Sequence, residues 1–168
     1  DDEAAERSLR EAVRLAPYDE EYRYNLGYLH LRAQRFEQAI EAFEEARKVF
    51  DKSARLTLGI GVAQYGLRRF GEALDAFLRA AELAPGAPQP HYFLGRMLEH
   101  AGERMSEVLG RQRAFADAYP GSYLGPFLLG QALLAALPAA GGDEQAAEAE
   151  RLLARSTELR GDFWESHF

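Results

Sequence analysis

Glycine recurs in this sequence at a nearly constant spacing, each time within a stretch that otherwise has the composition of a helix. Gly27, Gly61 and Gly95 are 34 residues apart, and Gly130 follows after 35 more. A glycine costs a helix about 1 kcal/mol relative to alanine, so its repetition in phase indicates a packing role. A large apolar residue precedes each of these glycines: Leu26, Ile60, Leu94 and Leu129.

Small and aromatic residues keep the same period. Ala39, Phe43 and Ala46 follow Gly27, and the same residue types follow Gly61 at the same distances, as Ala73, Phe77 and Ala80. Each unit therefore reads as two amphipathic helices joined by a tight turn, and neither helix can bury its apolar stripe alone. The pattern predicts an all-α fold of stacked antiparallel helix pairs, with glycine and alanine where helix axes approach closely.

These positions resemble the tetratricopeptide repeat family, whose 34-residue pattern combines Leu-Gly, a later series of alanine, phenylalanine and alanine, and a proline near the end. Pro85 occupies that last position in the unit that begins at Ala54. The resemblance implies an α-solenoid of helix pairs wound into a right-handed superhelix. The structural repeat positions that it identifies are Leu26, Gly27, Ala39, Phe43, Ala46, Gly61, Ala73, Phe77, Ala80, Pro85, Gly95 and Gly130.

The same alignment predicts one array over residues 1–168. Residues 1–19 resemble the second helix of a repeat whose first helix is missing from this sequence. Residues 161–168 resemble the start of a further helix. The segments between them are two regular repeats, 20–53 and 54–87, then two divergent repeats, 88–121 and 122–160, the last of them with an inserted loop at 137–145.

The overall charge restricts the class of partner. The net charge is −7 and the isoelectric point is near 5.2, whereas a nucleic-acid interface needs a basic surface. No apolar run approaches the ~18 residues that a membrane-spanning helix needs. We therefore expect a protein or peptide partner, no nucleic acid, and no membrane segment within this sequence.

The sequence offers little for catalysis or metal binding. It contains no cysteine, and no two of its four histidines lie three or four residues apart, as paired helical metal ligands do. The glycine-rich stretch at 59–66 has no preceding strand and no Gly-Lys-Ser/Thr, so it does not match a phosphate-binding loop. We expect no catalytic residue, no cofactor and no metal ion. The histidines are expected on helix surfaces or in a groove: His30, His91, His100 and His167.

The family resemblance implies that the first helix of each repeat lines a concave groove, with four positions facing inward. In the first complete unit these positions are Glu21, Tyr24, Tyr28 and Leu31, and Arg55 begins the set in the next unit. Such an aromatic and aliphatic lining suits an apolar helix or an extended peptide. The alternative is that it packs against neighbouring helices or helices outside this sequence. The candidate partner-binding residues are Tyr24, Tyr28, Leu31, Leu58, Val62, Tyr65, Tyr92, Arg96, Glu99, Phe127 and Gln131.

Two functions from different classes follow from this interpretation. The first is a non-catalytic scaffold that binds a peptide or helix of a partner protein in the groove. The alternative is a regulatory or substrate-recruiting arm of a larger enzyme whose catalytic domain lies outside this sequence. A homo-oligomer through exposed end helices is a third interpretation, because the apolar residues Phe163, Trp164 and Phe168 lack packing partners in the predicted array.

Overall fold

A computed structural model describes residues 2–138 and 142–165, with side chains described for 3–138 and 142–160. Within these residues the regular structure is helical and contains no strand, which confirms the predicted all-α fold. Two short 3-10 turns, Leu98–His100 and Gly102–Arg104, connect the sixth and seventh α-helices. The α-helices are α1 Asp2–Leu15, α2 Glu20–Arg32, α3 Phe36–Arg47, α4 Ala54–Gly66, α5 Phe70–Leu83, α6 Pro88–Arg96, α7 Met105–Ala118, α8 Leu124–Ala135 and α9 Asp143–Glu165.

The helices are grouped into two compact units, residues 1–84 and 85–168. In the first unit α1 packs against α2, α2 pairs with α3, and α4 pairs with α5. The pairs are stacked, because α3 packs against α4 and α2 lies beside α4. In the second unit α6 and α7 form one pair, α8 and α9 form the next, and α6 lies beside α8. The limits of the individual repeats stay a prediction.

Glycines in the first helices allow close contacts both within helix pairs and between neighbouring pairs. The ring of Phe43 in α3 is fully buried and lies against Gly27 in α2 and Gly59 in α4. A Cβ atom at Gly59 would lie 2.7 Å from that ring, and one at Gly61 would lie 2.6 Å from the ring of Phe77. Glycine is therefore required at these positions, because a phenylalanine ring of the facing helix occupies the space that a side chain would need.

Some structural repeat positions are less buried than a core role implies. Leu26 and Gly95 are half-buried, and Pro85 is exposed two residues after α5 ends. A Cβ atom at Gly95 would meet Leu128 of α8 at 2.9 Å, so this glycine serves the contact between first helices. The remaining positions are buried: Gly27, Ala39, Phe43, Ala46, Gly61, Ala73, Phe77, Ala80 and Gly130.

The turns between paired helices repeat an unusual backbone conformation. Gln34, Arg68 and Gly102 all have positive φ angles, of 56°, 61° and 51°, and they are spaced by 34 residues. A positive φ reverses the chain tightly after the first helix, and only glycine adopts it without a steric cost. The positive φ angles therefore recur with the same 34-residue period as the sequence motif.

The structure differs from the predicted segments near the end of the chain. Residues 161–165 continue α9 and do not open a new helix, because no proline interrupts the chain and one glycine does not end a helix. The connection between α8 and α9 covers residues 136–142, of which 139–141 are outside the described residues. The side chains of Phe163 and Trp164, and all of Phe168, also lie outside the described part. Among the helices described, none is long and apolar enough to cross a membrane.

Replacing Gly61 with leucine should destabilise the first unit by about 1–3 kcal/mol, because the new side chain would overlap the buried ring of Phe77. Urea unfolding followed by circular dichroism measures this change. The matched control is Gly71→Leu in α5, where an added Cβ atom meets nothing within 4 Å. Equal stabilities of the two variants would contradict the packing role of Gly61.

Replacing Gly102 with alanine should destabilise the protein by about 1 kcal/mol through backbone strain alone, since an added Cβ atom has open space around it. The same substitution at Gly110, inside α7 and equally unobstructed, should stabilise the protein by about 1 kcal/mol. Thermal unfolding of the two variants should therefore shift the melting temperature in opposite directions. A shift of the same sign in both variants would refute a positive-φ requirement at Gly102.

Candidate functional site

The first helices of the first unit, α2 and α4, form a shared surface that we call the α2–α4 face. Spacings of three, four and three residues place the four predicted positions of each helix on one side. Tyr28 is 47% exposed on this face, whereas its other apolar side chains are half-buried. The residues of the α2–α4 face are Glu21, Tyr24, Tyr28 and Leu31 from α2, and Arg55, Leu58, Val62 and Tyr65 from α4.

Tyr24 connects the α2–α4 face to the core. Its ring packs against Phe43 with centroids 5.7 Å apart, and it stacks on Tyr28 with centroids 5.9 Å apart and planes 14° from parallel. Tyr24 therefore has a structural role, whereas Tyr28 extends the same aromatic stack into solvent. Of these two tyrosines, Tyr28 is the one that can be changed without removing a contact to the phenylalanine core.

A charged side chain bridges the two helices over this aromatic stack. The guanidinium carbon of Arg55 lies 3.5 Å from the centroid of the Tyr24 ring. Arg55 also donates two hydrogen bonds to the carboxylate of Glu21, a close one from Nη1 to Oε2 and one of 3.3 Å from Nη2 to Oε1. These bonds lower the pKa of Glu21 and raise the pKa of Arg55. The arrangement binds a guanidinium group between a carboxylate and an aromatic ring.

An open pocket of about 780 Å³ adjoins this bridge at the N-terminal ends of α2 and α4. Asp19 accepts a hydrogen bond from the backbone N–H of Glu21 and caps α2, and Glu20 accepts one of 2.6 Å from the Ser53 hydroxyl. Tyr18 at the pocket edge is 83% exposed. Carboxylates thus outnumber the arginine around this pocket. Its lining is Ala16, Pro17, Tyr18, Asp19, Glu20, Glu21 and Arg55.

The second unit has a corresponding surface on α6 and α8, the α6–α8 face, formed by Tyr92, Arg96, Phe127 and Gln131. All four side chains are exposed, and the aromatic rings of Tyr92 and Phe127 are 48% and 38% exposed. The repeat pattern predicts Glu99 on the same helix face, but α6 ends at Arg96 and Glu99 lies in the 3-10 turn that follows. The early end of α6 therefore removes Glu99 from the predicted set of helix positions.

The prediction of surface histidines is wrong for two of them. His30 is 3% exposed because α1 covers α2, and its Nε2 atom lies 4.0 Å from a carboxylate oxygen of Glu6. His91 is 2% exposed, with Nε2 3.0 Å from the carbonyl oxygen of Pro85 and its ring stacked at 4.2 Å on Phe115. Burial lowers the pKa of both histidines. Both belong to the helix packing.

Among the described side chains, no cluster of three or more histidine, aspartate or glutamate residues could hold a metal ion. The site residue that sequence reasoning undervalues is Arg55, which the repeat pattern marks only as an inward position. Its signal is present in the sequence, because Glu21 and Arg55 hold equivalent positions one period apart and carry opposite charges. Equivalent positions of adjacent repeats are neighbours in a stacked array.

Comparison with known proteins gives consistent matches. A family model described as tetratricopeptide repeat matches residues 1–48, 24–88 and 58–103. Superkiller protein 3 of Schizosaccharomyces pombe is 34% identical over 91 residues, which is 51% of this chain and 7% of that protein. The chain therefore spans a small part of that relative.

Solved structures share the fold at low sequence identity. MamA superposes with a TM-score of 0.73 at 20% identity, covering 98% of this chain and 92% of MamA. YrrB, described as a TPR protein with an unusual peptide-binding site, superposes with a TM-score of 0.67 at 20% identity, covering 96% and 79%. TTC0263 of Thermus thermophilus gives 0.56 at 18% identity, covering 94% and 90%.

The buried histidines predict that stability falls as the pH is lowered below about 7. Unfolded histidine titrates near a pKa of about 6.5, and the folded pKa of His30 and His91 is lower. Between these values the unfolded state binds more protons, so the free energy of unfolding falls by up to about 1.4 kcal/mol per pH unit for each histidine. Urea unfolding at pH 7.5, 6.5 and 5.5 measures the slope.

A glutamine at position 91 retains a donor for the Pro85 carbonyl and cannot titrate, so His91→Gln should reduce this slope. His100→Gln is the matched control, because His100 is exposed in a 3-10 turn. A slope that is the same in both variants and in the parent would show that protonation of His91 is not linked to folding.

Proposed function

Since this chain belongs to the tetratricopeptide repeat family, we propose that it is a non-catalytic scaffold that binds a peptide or helix of a partner protein. Stacked repeats of this kind present extended surfaces to which other proteins bind. The α2–α4 face is the proposed binding surface of the first unit, and the α6–α8 face that of the second. The peptide-binding site ascribed to YrrB, a protein of similar fold, supports the same role here.

The observation that carries this proposal is the exposure of aromatic rings at predicted inward positions of first helices. Tyr28 is 47% exposed and Phe127 is 38% exposed, although both lie among buried or half-buried apolar residues of first helices. Exposed aromatic residues beside apolar neighbours are typical anchors of protein interfaces, where they bury a large area at little cost in side-chain entropy. A peptide laid on either face would cover such a ring.

The alternative function uses the same faces in a different setting. In that case the repeats are a regulatory or substrate-recruiting arm, and catalysis belongs to another part of a longer chain. The match to 7% of superkiller protein 3 favours neither setting. Both functions require a peptide to bind the inner faces, so the same binding experiment addresses both.

The test is selection of binders from a random-peptide phage library, followed by fluorescence anisotropy with the selected synthetic peptides. Tyr28→Ala should weaken binding to the α2–α4 face by about 5-fold or more, because loss of an interface anchor costs over 1 kcal/mol. Tyr28 makes its described ring contact with Tyr24, so the core contact between Tyr24 and Phe43 is retained.

Tyr22→Ala is the matched control, since Tyr22 is 38% exposed on the same helix. Two residues rotate a side chain by about 200° around the helix axis, so Tyr22 lies on the side opposite Tyr24. Peptides that are insensitive to Tyr28→Ala and also to Phe127→Ala, which tests the α6–α8 face, would refute binding at both inner faces. Circular dichroism must show that all three variants retain the helical content of the parent.

A further inference from the structure

We infer that the α2–α4 face recognises an arginine side chain of the partner peptide, through Glu21 and the Tyr24–Tyr28 stack, and that Arg55 occupies this position when no partner is bound. The inference rests on the proposed peptide-binding function and gives the chemistry of one of its contacts. The occupant of the face is thus a basic segment whose arginine is flanked by apolar residues.

Arg55 shows what this part of the face can bind. Its guanidinium lies over the ring of Tyr24, 3.5 Å from the ring centroid, and donates two hydrogen bonds to Glu21. A planar guanidinium can stack on the ring while its fork donates two hydrogen bonds to one carboxylate, whereas the ammonium of lysine is a compact point charge without that plane or fork. A partner arginine would make the same two kinds of contact, so the selectivity follows from geometry already present in the protein.

The contact between Arg55 and Glu21 lies at the surface, where a partner arginine can replace Arg55. The side chain of Arg55 is 46% exposed and that of Glu21 is 57% exposed, so both are accessible from solvent. An exposed ion pair contributes little to stability, and the released Arg55 would be hydrated again in water. Val62 and Leu58 continue the face beyond this point and supply apolar contacts for the residues beside the arginine.

Charge complementarity selects a basic partner over an acidic one. Asp19, Glu20 and Glu21 surround the pocket at this end of the face, and Arg55 is the single basic residue among its lining residues. The pocket therefore carries a surplus of two negative charges at neutral pH, from three carboxylates and one guanidinium. An incoming arginine supplies the positive charge that the displaced Arg55 no longer provides to these carboxylates, whereas a glutamate at the same place would meet like charges.

The experiment uses three blocked tripeptides, acetyl-Leu-Arg-Leu-amide and its citrulline and glutamate analogues, titrated into the isotopically labelled chain and followed by NMR. Citrulline has the shape of arginine without its charge. The arginine peptide should bind at least about 5-fold more tightly than the citrulline peptide, and the glutamate peptide should bind most weakly. The largest shifts should occur around Glu21 and Tyr28. Equal affinities for arginine and citrulline, or no binding by the arginine peptide, overturn the inference.

Two variants test the roles of the individual residues. Glu21→Gln should weaken the arginine peptide by about 5-fold or more, and Arg55→Ala should strengthen it by about 3-fold because the internal competitor is removed. Glu45→Gln is the matched control, since Glu45 in α3 is likewise an exposed glutamate in an ion pair, with Lys48 directly after the helix. Unchanged or weaker binding to Arg55→Ala would show that Arg55 is a fixed bridge between α2 and α4, and would overturn its role as an occupant.

The inference and the proposed function can fail separately. Library peptides that lose affinity in Tyr28→Ala but contain no enrichment of arginine would retain binding at the face and overturn arginine recognition. Peptides rich in arginine that bind Tyr28→Ala, Glu21→Gln and Phe127→Ala as well as the parent would overturn both.

Discussion

The contact on which the first unit depends is that of a phenylalanine ring against two glycines. Phe43 lies between Gly27 in its own helix pair and Gly59 in the next, so one ring fixes both the closure of a hairpin and its stacking. This contact holds α2 and α4 side by side, which is the arrangement that creates the α2–α4 face. The cost of glycine in a helix is thus offset by packing, and the binding surface is a consequence of that packing.

In a stacked array, residues that are one repeat apart in sequence also lie next to each other in space. Residues one repeat apart meet as Glu21 with Arg55, as Glu20 with Ser53, and in the second unit as Arg113 with Glu148. The backbone follows the same period in the positive φ angles of the turns. Contacts in such a fold therefore join residues no more than about one repeat apart in sequence, and the side chains that form a face differ from one repeat to the next.

The sequence predicted those features that depend on periodicity. The close approach of helices at Gly61, and the position of Tyr28 on the same side of α2 as Tyr24, follow from a fixed spacing and helical geometry. Features that depend on one local departure could not be predicted: α6 ends early and displaces Glu99, and α1 buries His30. Periodicity states which positions are equivalent, but burial at one position depends on the side chains that surround it.

The α2–α4 face illustrates how one surface can serve both packing and recognition. The ring of Tyr24 contacts Phe43 in the core and Arg55 at the surface, so the fold fixes the orientation of the ring before any partner arrives. A preorganised aromatic surface loses little freedom on binding, and the face of its ring can stack on a planar guanidinium. The apolar interpretation of the lining is therefore incomplete, because the ring of Tyr24, which packs on the core, also contacts a cation.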